Sequence, residues 1–145
     1  MSMRILFVCL GNICRSPAAE GVMRAMAPDL MIDSAGTGRW HVGEPPYPPM
    51  VAAAKARGYD LTDLRARQFH AADFDAFDLI VAMDGQNRDD IERLRPVGND
   101  TPVCLMTERG VADPYYTRDF DGCLDTIEAA ARTMLRERKL GSPIR

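Results

Sequence analysis

The chain lacks an apolar run long enough to cross a bilayer, which takes about 20 residues; the longest, residues 5–10, stops at the glycine that follows. A basic segment leading into an apolar stretch and a small-residue cleavage site is missing too, so no secretory signal is read and the cytoplasm is the expected location. Histidine is scarce: His41 and His70 stand in unrelated segments. Cysteine is limited to Cys9, Cys14, Cys104 and Cys123, and none of these belongs to a set with the paired spacing that zinc requires. They are read as thiols, with no metal and no cofactor. Basic residues are in deficit, 18 Lys and Arg against 21 Asp and Glu, a net charge of −3. That argues against a general nucleic-acid binder but leaves room for one local pocket that attracts anions. Repeats, low-complexity tracts and linkers are also absent, so residues 1–145 are expected to form a single domain. Its size is enough to bury about two thirds of the unfolded surface.

What is present alternates between two periods. Residues 4–9 form a short unbroken apolar run with Ile and Val, the mark of a buried strand, ended by Gly11-Asn12. Ser16 can cap a helix with Pro17 at its first position, followed by Ala19, Val22, Met23 and Met26 at helical spacing until Pro28. Residues 31–35 read as a second strand, 79–83 as a third and 101–105 as a fourth. Residues 50–57 read as a helix stopped by Gly58, and Asp84 as the cap of a helix reaching about residue 94. From Phe120 onward, Cys123, Leu124, Ile127, Ala131, Met134 and Leu135 make one stripe of a long amphipathic helix, and the tail after Gly141 reads as loose. The expectation is a single α/β domain: a central parallel twisted sheet of about four strands, helices on both faces, and a phosphate-binding loop after the first strand. In such folds ligands sit beyond the C-terminal ends of strands, where the strand order reverses. The first strand ends at Cys9.

The segment "VCLGNICRSPAAEG" therefore carries the chemistry. A loop from Cys9 to Arg15, entering a helix N-terminus, can turn its N–H groups and the helix dipole toward an anion. Gly11 permits close backbone approach, and Asn12 is among the few residues with a side chain that tolerate positive φ. Arg15 offers a planar fork for two phosphate oxygens. Cys9, in the same field, is expected to ionise at neutral pH and act as a nucleophile aimed at bound phosphate.

This segment, with "DSAGTGRWHVGEPP", "VAMDGQN" and a distal "DPYY" in that order, resembles the low-molecular-weight protein tyrosine phosphatases. The resemblance implies hydrolysis of phosphotyrosine in proteins, without metal, through a phosphate ester on cysteine. It makes Cys9 the nucleophile, Arg15 the phosphate clamp and Asp113 the general acid. Leu10, Gly11, Asn12, Ile13 and Cys14 would form the phosphate loop, with Ser16 stabilising the Cys9 leaving group and Asn12 and Ser34 holding the loop's shape. A phenol has a pKa of about 10, so its departure at neutral pH needs a proton donor. Trp40, Tyr47, Tyr115 and Tyr116 are expected as a rim around a flat ring, and the two adjacent tyrosines as possible phosphorylation sites. Cys14, so close to Cys9, is the expected redox partner. The implied partner is a tyrosine-phosphorylated protein, with a cognate tyrosine kinase opposing it, and neither nucleic acid nor membrane.

Particular residues separate the rival readings. A thiol-dependent arsenate reductase shares the first loop but needs further cysteines near it, and "AMDGQNRD" at 82–89 has none. Phosphoarginine hydrolysis would favour Thr over Ile13. A non-catalytic phosphotyrosine-binding module would be expected to lack Cys9, Arg15 or Asp113, and all are present. The chain departs from the pattern of the family it resembles at "TDLRARQ", where Leu64 stands in place of an expected His that would support Asn12, at Tyr47, and in a short segment between Asn87 and Asp113.

Overall fold

Arg4 and the five uncharged residues after it fold as the inner strand β1 (Arg4–Cys9) of a computed structural model that describes residues 3–137. The helix α1 (Arg15–Met26) returns the chain to β2 (Met31–Gly36), and α2 (Pro48–Ala56) and α3 (Asp73–Ala76) lead to β3 (Leu79–Ala82). Then follow α4 (Gly85–Glu92), β4 (Val103–Leu105), α5 (Pro114–Thr117) and α6 (Phe120–Glu137). All three strand pairings are parallel, in the order β2-β1-β3-β4. The order reverses at β1, so the crevice beyond its C-terminal end is where this topology accommodates a ligand.

Alternation along the strands sorts the core into two layers. Ile5, Phe7 and Cys9, with Leu79 and Val81, pack against Val22 and Met23 of α1, Met50 of α2, and Leu124 and Ile127 of α6. Leu6 and Val8, with Ile80 and Ala82, face the other way onto Phe74 of α3 and Ile91 of α4. Cys9 thus points to the α1 and α6 side of the sheet.

The expected strands and long helices are all found, with shifted ends. α2 begins two residues before the expected start because Pro48 and Pro49 occupy its first turn, where a missing N–H costs nothing. Asp84 caps α4 as expected, its Oδ1 accepting from the Asn87 N–H at 2.8 Å. Ser16 does not cap α1. The helix starts two residues before the expected Pro17, at Arg15, and the cap position is Cys14, with no side-chain cap bond. Ser16 is fully buried in the first turn and Pro17 stands third, still among the N–H groups that lack an intrahelical partner. Neither α3 nor α5 was anticipated: four residues are too few to show a helical period. The tail after Gly141 lies outside the described residues.

Gly21 lets α1 pack closely against Leu61. A β-carbon there would stand 2.5 Å from Leu61 Cδ2, and Leu61 is fully buried. Ala in a helix interior ordinarily gains about 1 kcal/mol over Gly. Overpacking against an immobile neighbour costs about 1–3 kcal/mol and wins. Gly21→Ala is therefore expected to lower the midpoint of urea unfolding, with a net loss of about 1 kcal/mol; a raised midpoint would show that Leu61 can swing aside.

Candidate active site

The loop after β1 is shaped by one left-handed residue. Asn12 has φ 58°, and its side chain is fully engaged: Nδ2 donates to Ser16 Oγ at 2.7 Å and to Ser34 Oγ at 3.0 Å, while Oδ1 accepts from the Arg67 N–H at 3.0 Å. This turn aims the Asn12 N–H at Cys9 Sγ, 3.3 Å away, and Ser16 Oγ lies 3.0 Å from the same sulfur. Beneath the network, Ser34 Oγ donates to Glu20 Oε1 at 2.6 Å, and Glu20 pairs with Arg24 one turn on. Burial holds the Glu20 carboxyl above its ordinary range, against the opposing pull of Ser34 and Arg24. Leu64, which stands in place of an expected His, only packs against the core. The Arg67 backbone N–H is what fills the remaining acceptor of Asn12.

A second loop, after β2, is laced to the first. The Thr37 N–H donates to the Cys9 carbonyl and the Gly38 N–H to the Leu10 carbonyl, both at 2.9 Å. Such contact needs Gly36, because a β-carbon there would lie 2.7 Å from the Leu10 carbonyl oxygen. His41 lies over Gly11, where a β-carbon would come within 3.0 Å of its Cδ2.

Arg15 is 3% exposed, and a buried guanidinium must be paired. Nη1 donates to Asp84 Oδ2 at 2.7 Å and to the Val111 carbonyl at 2.9 Å, and Nη2 reaches Asp113 Oδ2 at 3.5 Å. Burial alone would lower its pKa, but Cys9, Asp84 and Asp113 outweigh this and hold it above the usual arginine value. Asp113 is itself fixed as the cap of α5: Oδ1 accepts from the Tyr115 N–H at 3.0 Å, with Pro114 at the first helical position.

These elements enclose a cavity of about 290 Å³. Cys9, Leu10, Gly11, Ile13, Cys14 and Arg15 line it from the first loop. Trp40, Asp113, Tyr115 and Tyr116 line it from two others, so sequence-distant candidates converge. Trp40 is 70% exposed and Tyr116 73%, as rim residues are. Asn12, Ser16 and Ser34 are buried, and their hydrogen bonds support the loop from behind. Tyr47 is a correction: it does not line the cavity but packs behind Tyr115, ring centroids 5.1 Å apart. His41 lines the cavity and went unforeseen, although it follows Trp40 directly. Glu20 and Arg67 carried no sequence signal, and Asp84 was legible only as a helix cap, since each reaches the site through a contact that no local spacing encodes. Cys123 is buried in the core, and burial raises its thiol to about 12; Cys104 lies half-buried on β4.

A cysteine sulfur, a paired guanidinium and a carboxyl share one cavity, groups whose chemistry suits phosphoryl transfer. Known proteins similar to this chain give its family. A protein of Streptomyces coelicolor named as a low molecular weight protein-tyrosine-phosphatase is 41% identical, covering 93% of each chain. One of Schizosaccharomyces pombe, named as a low molecular weight phosphotyrosine protein phosphatase, is 42% identical over 79% of this chain and 82% of its own. The crystal structure of YfkJ from Bacillus subtilis superposes with a TM-score of 0.89 at 32% identity, covering 96% of each chain. With a model of the low molecular weight phosphotyrosine protein phosphatases matching residues 4–142, this chain belongs to that family.

Proposed function

We propose that this phosphatase hydrolyses phosphotyrosine in proteins through a phosphocysteine on Cys9. The observation that carries the reading is the convergence of Cys9, Arg15 and Asp113 on one cavity, although Arg15 and Asp113 are 98 residues apart in the chain. Cys9 Sγ attacks phosphorus while Arg15 and the loop N–H groups take the phosphoryl oxygens whose charge develops in the transition state. Asp113 gives its proton to the departing tyrosine oxygen. In the second step Asp113 takes a proton from water, which attacks the phosphocysteine. Ser16 Oγ, 3.0 Å from the sulfur, stabilises Cys9 as it leaves. Arg15 and the loop supply the charge stabilisation a metal would otherwise provide, so activity is expected to survive a chelator. Ile13, Trp40, Tyr115 and Tyr116 offer flat apolar surface for a phenyl ring, with phosphoserine too short to fill it. The biological partner is then a tyrosine-phosphorylated protein opposed by a tyrosine kinase, in the cytoplasm.

Leaving groups test the acid. Asp113→Asn is expected to slow phosphoenzyme formation from phenyl phosphate by about 100-fold, and from p-nitrophenyl phosphate, whose phenolate leaves unaided, by less than about ten-fold. Equal losses would remove Asp113 from the role. Cys9→Ser should abolish turnover yet keep binding inorganic phosphate, read by calorimetry; turnover at the wild-type rate would overturn the nucleophile.

The reading extends to redox control, because Cys9 and Cys14 line the same cavity. Peroxide oxidises Cys9 to the sulfenic acid with release of water. The Cys14 sulfur then attacks that sulfur, a disulfide forms, and a second water leaves with the Cys14 proton. Burial pushes the Cys14 thiol above its ordinary range, with Cys9 and Asp113 adding to the effect. Cys14 is thus protonated at neutral pH, and capture should accelerate as pH rises from about 6 to about 8. Mass spectrometry after mild oxidation, with free thiols blocked, is expected to find the Cys9 to Cys14 crosslink. Cys14→Ser should keep catalysis but lose recovery by dithiothreitol, and full recovery would return Cys14 to a packing role.

A further inference from the structure

A helix of four residues, such as α5, cannot hold itself in place, since nucleation costs more than one turn of hydrogen bonds returns. Yet α5 carries Asp113 at its cap and Tyr115 on the cavity, and both require a fixed position against the phosphate loop. The residue that ends α5 is unusual. Arg118 has φ 63°, a left-handed conformation that Gly or Asn adopts at less cost, so this position keeps an arginine against its backbone preference.

Its side chain shows what it does there. The guanidinium lies over two neighbouring rings, with Cζ 5.3 Å from the Tyr47 centroid and 5.2 Å from that of Phe120. Nη1 donates to Tyr47 Oη at 3.2 Å and to the Tyr115 carbonyl at 3.3 Å, while the Arg118 N–H closes α5 on the Pro114 carbonyl at 2.9 Å. Tyr47 completes the link. Its N–H donates to the Ile13 carbonyl of the phosphate loop at 2.8 Å, and its ring supports that of Tyr115 at 5.1 Å. One residue thus touches the loop that bears Cys9 through its backbone and the turn that bears Asp113 through its side chain.

We infer that Arg118 and Tyr47 form a clamp that sets the position of the Asp113 turn relative to the phosphate loop, making both of them positioning residues for proton transfer. The inference rests on the reading of Asp113 as the acid. Positioning matters most where a proton must move, because a carboxyl displaced from the leaving oxygen loses transfer while phosphate contacts persist.

The test compares Arg118→Gly, which retains the left-handed backbone without the clamp, and Tyr47→Phe, which keeps the ring and deletes the hydroxyl. Release of the phenol in a single turnover is measured with phenyl phosphate and p-nitrophenyl phosphate. For Arg118→Gly the rate with phenyl phosphate is expected to fall about ten-fold with KM within about two-fold, and the rate with p-nitrophenyl phosphate by less than about two-fold. Tyr47→Phe should give a smaller loss with the same selectivity, and competitive inhibition by inorganic phosphate should stay within about two-fold of wild type for both. Placed on Asp113→Asn, neither change should slow phenyl phosphate further, since no proton remains to be positioned. Equal losses with both substrates, no loss with either, or a further loss on Asp113→Asn would overturn the clamp. If Asp113→Asn alone shows no dependence on the leaving group, the acid assignment falls first and takes the clamp with it. Should Arg118→Gly fail to fold, Tyr47→Phe carries the same comparison.

Discussion

The site depends on a single turn of backbone at Asn12. A left-handed residue at that point reverses the chain after β1, brings its own N–H onto Cys9 Sγ and delivers Arg15 to the start of α1. An asparagine tolerates the conformation, but its side chain is what secures it. Three hydrogen bonds tie it to α1 through Ser16, to β2 through Ser34, and to the segment ahead of α3 through the Arg67 N–H. Each polar atom in this buried network has a partner, so rearranging the loop would strand donors or acceptors away from water at about 1–3 kcal/mol apiece. The loop is therefore held in one shape, and on the proposed mechanism this preorganisation is the condition for electrostatic stabilisation at little reorganisation cost.

Arg15 extends the same logic to charge. It is buried at a helix start, and the carboxylates that offset it come from beyond the C-terminal ends of other parallel strands: Asp84 after β3, Asp113 from the turn after β4. The Val111 carbonyl adds a neutral acceptor between them. Asp84 divides its oxygens, one on Arg15 and one capping α4, so the buried guanidinium and a helix of the opposite layer share one carboxylate. A change in α4 that moved Asp84 would reach the site without touching it.

How much of this was legible in the chain follows from range. The strands and the long α6 stripe were readable because burial imposes a short period on adjacent residues. The phosphate loop was readable because Cys9, Gly11, Asn12 and Arg15 fall within seven positions and each residue type has its own reason to be there. Ser16 was misread as a cap because Ser-Pro has that meaning locally, whereas tertiary contacts with Cys9 and Asn12 claim the hydroxyl. Tyr47 was expected on the rim from its loop, yet its ring turns behind Tyr115. Glu20 gave no signal, being one acid on a helix. Its meaning comes from the Ser34 hydroxyl that a parallel strand brings to it.

The setting of Tyr47 within Pro45-Pro46-Tyr47-Pro48-Pro49 has a consequence for how the molecule assembles. A residue before proline is confined to extended backbone, and Tyr47, at φ −58° and ψ 129°, lies within that allowance. Most of the conformational entropy that docking this stretch would cost is already absent from the unfolded chain. Only a proline at 47 itself would remove the N–H that meets Ile13, so the backbone attachment does not depend on the ring. Rigid prolines on either side therefore hold the tyrosine's backbone to one loop and leave its side chain to reach the other.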